Sequence, residues 1–199
     1  MFETLWMTRR LASMSVWRDM MLAPARRLRE IAPEAPGGDA RRALVFCPEP
    51  SVCDLLPSAA PQPVLWAWHT PSFPGVTPEE NKRRLYLQLY YSGVDAAEFA
   101  RLVRTAPAYR ISLFGWGRGI AGLAADRKPI SDEEERAEAD GYARFVAGFD
   151  RASAAGRQIS YAVVEITREI PFANIDRWYE RDAGERVGHF TLYRLRLRP

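Results

Sequence analysis

Histidine and cysteine are almost missing from this chain of 199 residues: His69 and His189, Cys47 and Cys53. Two cysteines are too few for a disulfide scaffold or a cysteine-only zinc site, and no H-x-H or H-x-x-x-H pair offers a metal two imidazoles at workable spacing. The short interval between Cys47 and Cys53 leaves two states open, a local disulfide in an oxidising compartment or a pair of buried free thiols. Lysine is as scarce, with only Lys82 and Lys128 among 28 basic residues. The excess over acid is only +3, too small for a nucleic-acid footprint unless gathered on one face. It gathers twice, in Arg9, Arg10, Arg18, Arg26, Arg27 and Arg29, and in Arg194, Arg196 and Arg198; a solvated face is the simplest account of each. Long apolar runs are absent too. None approaches the roughly 18 residues of a membrane helix. The opening MFETLWMTRRLASMSVW has Glu3 where a secretory signal carries basic residues.

An apolar fraction of 47% beside 27% charged residues is enough to bury a core. The length suits one domain with an appendage. Residues 1–39 form the appendage, a basic amphipathic helical segment and a linker. Leu5, Trp6, Met7, Leu11, Met14, Val16 and Trp17 stand among arginines at loose helical spacing, and Pro24 breaks or kinks the run. Such a helix can lie on an anionic membrane surface, pack on its own domain, or dock on a membrane-spanning partner through residues 1–31. Ala32–Asp39, rich in proline and glycine, reads as the linker.

Residues 40–199 read as an α/β domain. Ala43–Cys47, Val64–His69, Tyr109–Phe114 and Ile159–Thr167 are short, rich in β-branched or aromatic residues and framed by breakers, which is the strand signature. Between them, Thr77-Pro78-Glu79-Glu80, Asp95-Ala96-Ala97-Glu98 and Ser131-Asp132-Glu133-Glu134 carry helix start signals. Tyr142, Phe145, Val146 and Phe149 then mark a core-facing helical stripe. Asp182-Ala183-Gly184 reads as a turn, and His189–Arg198 alternates, with Tyr193, Leu195 and Leu197 opposite Leu192 and three arginines. Strands alternating with helices predict a mainly parallel, Rossmann-like three-layer sheet with helices on both faces, closed by an antiparallel C-terminal edge strand.

No motif names a reaction. Gly117-Arg118-Gly119-Ile120-Ala121-Gly122 matches G-x-G-x-x-G, but Pro129 leaves room for only a short helix and no strand ending in an acid follows; a glycine-rich surface loop is the better account, and no cofactor is expected. His69 ends the second predicted strand, at the carboxyl edge where open α/β sheets tend to take ligands. The candidate ligand-binding set is Glu49, Trp68, His69, Glu80, Asn81 and Arg118. Trp66 and Trp68, on one face of the predicted strand, together with Tyr86, Tyr90 and Tyr91, suit either sugar stacking or sheet–helix packing. Cys47 with His69 as base stays open as a nucleophile pair, though no G-x-S-x-G elbow supports a hydrolase.

Three phrases carry a resemblance: LLPSAAPQPVLWAWHTPSF at Leu55–Phe73, PEENKRRLYLQLYYSGVD at Pro78–Asp95, and DRWYERDAGERVGHFTLYRLRLRP at Asp176–Pro199. Over roughly residues 40–199 the chain resembles the soluble C-terminal domain of bacterial multi-spanning membrane proteins, some of which are similar to C-type glycosyltransferases that use lipid-linked sugars. The resemblance implies an extracytoplasmic accessory domain at the bacterial inner membrane, a glycan or lipid-linked sugar as ligand, and no catalytic residue in this chain. Two other readings stand beside it. One is a small α/β transferase or hydrolase using Glu49, His69, Glu80 and Arg118; the other is a protein-interaction module docking through residues 2–31.

Overall fold

The computed structural model describes residues 2–120 and 128–199, with side chains from Ser15 onward except those of Trp17 and Pro36. The chain divides into two compact units, one of residues 1–64, 159–169 and 181–196, the other of residues 65–158, 170–180 and 197–199.

The first unit opens with helix α1 (Phe2–Glu30), which runs through Pro24 without ending there. The proline removes one backbone donor, yet Met21, Ala25, Leu28 and Ile31 are buried around it at successive turns, and this packing outweighs the lost hydrogen bond. The side chains on which the amphipathic reading rested, Leu5 to Met14 and Trp17, lie outside the described residues. The expected linker holds short 3-10 turns at Ala32–Glu34 and Pro36–Gly38, with Ala35 buried between them. Strand β1 (Leu44–Phe46) leads to helix α2 (Pro50–Leu55), whose N-terminus is capped by Glu49.

The remaining strands are β2 (Ile159–Glu165), β3 (Tyr179–Arg181), β4 (Glu185–Val187) and β5 (Phe190–Leu197). β1 pairs parallel with β2, while β2–β5 and β4–β5 are antiparallel. The fold is mixed α/β with an open, mixed sheet; the parallel majority expected from the sequence is not there, because two of its strands do not form. β5 is antiparallel as expected but is not an edge. Gly188, at φ 63°, closes a tight turn that brings β4 back onto it. Its residues 190–192 therefore pair on both sides. Leu192, expected on the basic face, is buried with Phe190 and Leu195, so the alternation slips between 192 and 195. Arg194 is held by Glu34 at 3.2 Å instead of facing solvent alone. The Asp182–Gly184 turn forms as expected, with the Gly184 amide donating to Asp182 Oδ1 at 3.1 Å.

The second unit is helical: α3 (Pro78–Tyr91), α4 (Ala96–Thr105), α5 (Pro107–Phe114), α6 (Trp116–Gly119), α7 (Asp132–Ala147), α8 (Arg151–Gly156) and α9 (Ala173–Asp176). The three start signals cap as read. Thr77 Oγ1 accepts the Glu80 amide at 3.1 Å, Asp95 Oδ1 the Glu98 amide at 2.8 Å, and Ser131 and Glu134 form a reciprocal box. Trp66, Leu85, Tyr86, Leu89, Phe99, Val103 and Tyr142 make the core, with Phe145 and Val146 packed against it.

Tyr109–Phe114, expected as a strand, is α5. A six-residue apolar run fits either period; here Pro107 at the first turn and Gly115 at φ 80°, just after the last, frame a helix. Tyr109 and Leu113, four apart, both reach the core. Val64–His69 is also no strand. Only Val64 makes a bridge, parallel to Val45, and the Val45 amide bonds the Pro63 carbonyl at 2.9 Å. Pro61 and Pro63 supply no N–H to a ladder. The Thr70 hydroxyl then captures the Ala67 amide at 2.9 Å, closing a local turn where pairing would have continued.

Candidate functional site

The candidate residues separate into four local arrangements, one in the first unit and three in the second. In the first unit, Glu49 accepts from Ser51 Oγ at 2.7 Å and pairs with Arg168. Burial works against its charge, but Ser51 and Arg168 outweigh it and hold the carboxyl below its ordinary range. Beside it, Cys47 and Cys53 are both fully buried free thiols. Burial, and next the Cys53 neighbour, push the Cys47 thiol well up, which leaves little thiolate for nucleophilic work.

In the second unit, Asn81 is 3% exposed on the inner side of α3. It accepts the Trp66 indole N–H at 3.0 Å and donates to the Ser112 carbonyl at 2.7 Å, joining the 65–70 segment to α3 and α5. Trp68 sits edge-on to Trp66 at 5.0 Å between ring centres and to Tyr109 at 5.2 Å. Trp68 and Asn81 thus meet through Trp66, which is itself wholly buried. His69 follows as an exposed residue heading the 3-10 turn Thr70–Ser72.

Glu80 precedes Asn81 but engages a different set of side chains. Its Oε1 accepts from Arg84 Nε at 2.8 Å and from Arg157 Nη2. Arg118 is tied down at the start of α7. It donates to both Glu134 oxygens at 3.0 and 2.8 Å, and to the carbonyls of Lys128 and Pro129. This guanidinium, then the Ser131 amide, hold the Glu134 carboxyl down to about 2. Of the G-x-G-x-x-G motif, Ala121 and Gly122 lie outside the described residues. Gly119 has a packing reason: a Cβ there would sit 2.6 Å from the Ile111 backbone, so only glycine lets α6 approach α5 so closely.

Sequence reasoning passed over Trp116, which is 60% exposed on α6. Its signal was its setting, Gly115-Trp116-Gly117, where the adjoining glycines bring no side chain to cover it. Tyr86, by contrast, is a core donor to Glu138 at 3.0 Å, and Glu138 also takes Lys82 at 2.5 Å. Two open grooves are formed elsewhere. One, of about 310 Å³, is lined by Arg18, Asp19, Met21, Leu22, Leu55 and Ser58. The other, of about 360 Å³, lies between α4 and α7 beside Arg104, Asp132, Glu135 and Arg136. Neither contains a residue of the candidate set. Among the described residues no three histidine, cysteine or acidic side chains gather as a metal site would require, and no helix is long and apolar enough to cross a membrane. No family model, no curated protein and no solved structure matches this chain.

Proposed function

We propose that this chain is a non-catalytic accessory domain of a membrane glycosyltransferase-like protein, one that recognises glycan or lipid-linked sugar and attaches through residues 1–31. The observation that carries the reading is how the polar candidates are engaged. Glu49, Glu80, Asn81 and Arg118 each close a structural link of their own, and Trp68, the residue before His69, is taken up in edge-on packing with Trp66 and Tyr109. Side chains so committed hold a fold together; an acid–base pair working on a substrate needs partners facing a cleft. The three sequence phrases at 55–73, 78–95 and 176–199 support the membrane-enzyme context. On the basic helix α1, Arg18 is exposed and Arg26 and Arg29 stand on its last turns, in keeping with attachment to an anionic surface or a membrane-embedded partner.

Sugar recognition on this reading uses Trp116, whose exposed indole can stack on the apolar face of a pyranose. Titrating the whole chain with a panel of neutral oligosaccharides, followed by tryptophan fluorescence, tests it. Saturable binding lost in Trp116→Ala supports the reading. No binding across the panel, or turnover of a transferase or hydrolase substrate that disappears in Glu80→Gln or Glu49→Gln, rejects it in favour of the enzyme.

A further inference from the structure

An arginine cluster gathers around Glu80 in the second unit. Arg84 Nε and Arg157 Nη2 both donate to one oxygen of that carboxylate, Glu80 Oε1. Arg83, next along α3, reaches toward the same place: its Nη2 lies 3.7 Å from where a Cβ on Gly156 would stand, one residue before Arg157. Two guanidinium groups thus bond one carboxylate oxygen, and the charge of a third acts on the same carboxylate. Arg84 and Arg157 are only about a quarter exposed, at 25% and 24%, so water screens their mutual repulsion incompletely. The strain is visible in Arg157. Burial, and then the charge of Arg84, hold its guanidinium below the ordinary arginine value, and Glu80 only partly offsets them.

Such a cluster favours an anion, and its geometry selects the kind. A carboxylate ligand would repeat what Glu80 already supplies, two acceptor oxygens in one plane. A phosphoryl group offers three non-bridging oxygens pointing in different directions, one for each planar fork, with up to two negative charges against the unmatched arginines. Arg83 is itself exposed, so a ligand can reach the cluster from its side. We infer that Arg83, Arg84 and Arg157 form a phosphoryl-binding site, with Glu80 as the internal placeholder that holds the arginines together when no ligand is bound. The site stands independently of the glycan reading, since it requires no sugar. It fits that reading where the lipid-linked sugar is joined to its carrier through phosphate.

The test is calorimetric titration of the whole chain at low salt with inorganic pyrophosphate. In parallel, co-sedimentation is measured with phosphatidylcholine vesicles with and without phosphatidic acid. Saturable pyrophosphate binding is expected, weakened roughly ten-fold in Arg157→Gln. Glu80→Gln is the sharper variant: removing the competing carboxylate should tighten binding several-fold, where damage to the fold would weaken it. Arg83→Gln guards against misfolding, because Arg83 is exposed and its loss should weaken binding while leaving the circular dichroism spectrum unchanged. Pyrophosphate binding without vesicle binding assigns a soluble phosphate compound; phosphatidic-acid-dependent sedimentation lost in Arg83→Gln assigns a lipid headgroup. The inference is overturned if wild type binds neither probe, or if binding is indifferent to all three substitutions. Neutral oligosaccharide binding through Trp116 should persist in Arg83→Gln, so the two readings fail separately.

Discussion

Asn81 is the residue at which the candidate set and the fold meet most directly. One small side chain accepts the Trp66 N–H and donates to the Ser112 carbonyl in a place 3% exposed. Asn81→Ala leaves a buried donor and a buried acceptor unpaired together, and should cost about 2–4 kcal/mol of stability. Urea unfolding of wild type and variant checks this. Unchanged stability with altered ligand binding would instead return Asn81 to a recognition role. Nothing in PEENKRR distinguishes the two roles, because an asparagine at the fourth position of a capped helix looks alike whether it faces solvent, ligand or core. The partner that decides, Ser112, lies 31 residues away on an element whose type the sequence misrepresented. Gly119 poses the same difficulty: it matched a phosphate-binding pattern, and its true constraint is the Ile111 backbone. Gly119→Ala should destabilise by roughly 1–3 kcal/mol, since backbone cannot yield as a flexible side chain can. A shift in thermal midpoint of no more than a degree would mean that α6 is free to move away from α5.

At the scale of elements, the capped helices were legible and strands were half legible. Caps are local chemistry: Thr77, Asp95 and Ser131 each announce a helix within four residues, and each one forms. Strands are decided by what lies opposite, which short apolar runs do not state. Ile159–Thr167 found β1 and β5 as partners; Val64–His69 was stopped by prolines and by Thr70; YRISLF met the frame of Pro107 and Gly115 and coiled. The α7 start allows a pH test. Glu134 titrates near 2 in the fold against an ordinary value of 4.5. Between these values the unfolded chain binds the proton and the folded one does not, so stability rises with pH across this window. The contribution is complete above about pH 4.5 and is lost as pH falls through 2. In Glu134→Gln the dependence of unfolding on pH between 4.5 and 2 should flatten; an unchanged slope would show that the Arg118 link carries no stability. Ser131→Ala, which deletes the other half of the box, should cost about 1 kcal/mol at neutral pH.

Across the whole molecule, the order in which the chain visits its two units sets how they unfold. It passes between them at 64/65, 158/159, 169/170, 180/181 and 196/197, so neither unit is one continuous segment. Residues 170–180 belong to the second unit, where Trp178 donates to Tyr90 at 2.8 Å and the Tyr179 hydroxyl to the Ala154 carbonyl at 3.2 Å. Those residues are also the connection between β2 and the strands that pair with β5. If the second unit melted alone, that connection would become a flexible loop, and β2–β5 pairing would bear its closure entropy. If the first unit melted alone, residues 159–169 and 181–196 would become flexible loops tethered at both ends to the second unit, which would bear their closure entropy. Both outcomes are penalised, which predicts a single cooperative transition. The molecule supplies a probe for each half. Cys47 and Cys53, both buried, lie in the first unit; four of the six tryptophans, Trp66, Trp68, Trp116 and Trp178, lie in the second, and replacing Trp6 and Trp17 of the first unit by phenylalanine leaves fluorescence as a report on the second alone. Thiol reactivity and tryptophan fluorescence, followed through the same urea series, should share one midpoint. Thiols that become reactive at lower urea than the fluorescence change would show the first unit opening by itself, and the shared connection would then be too slack to couple the two.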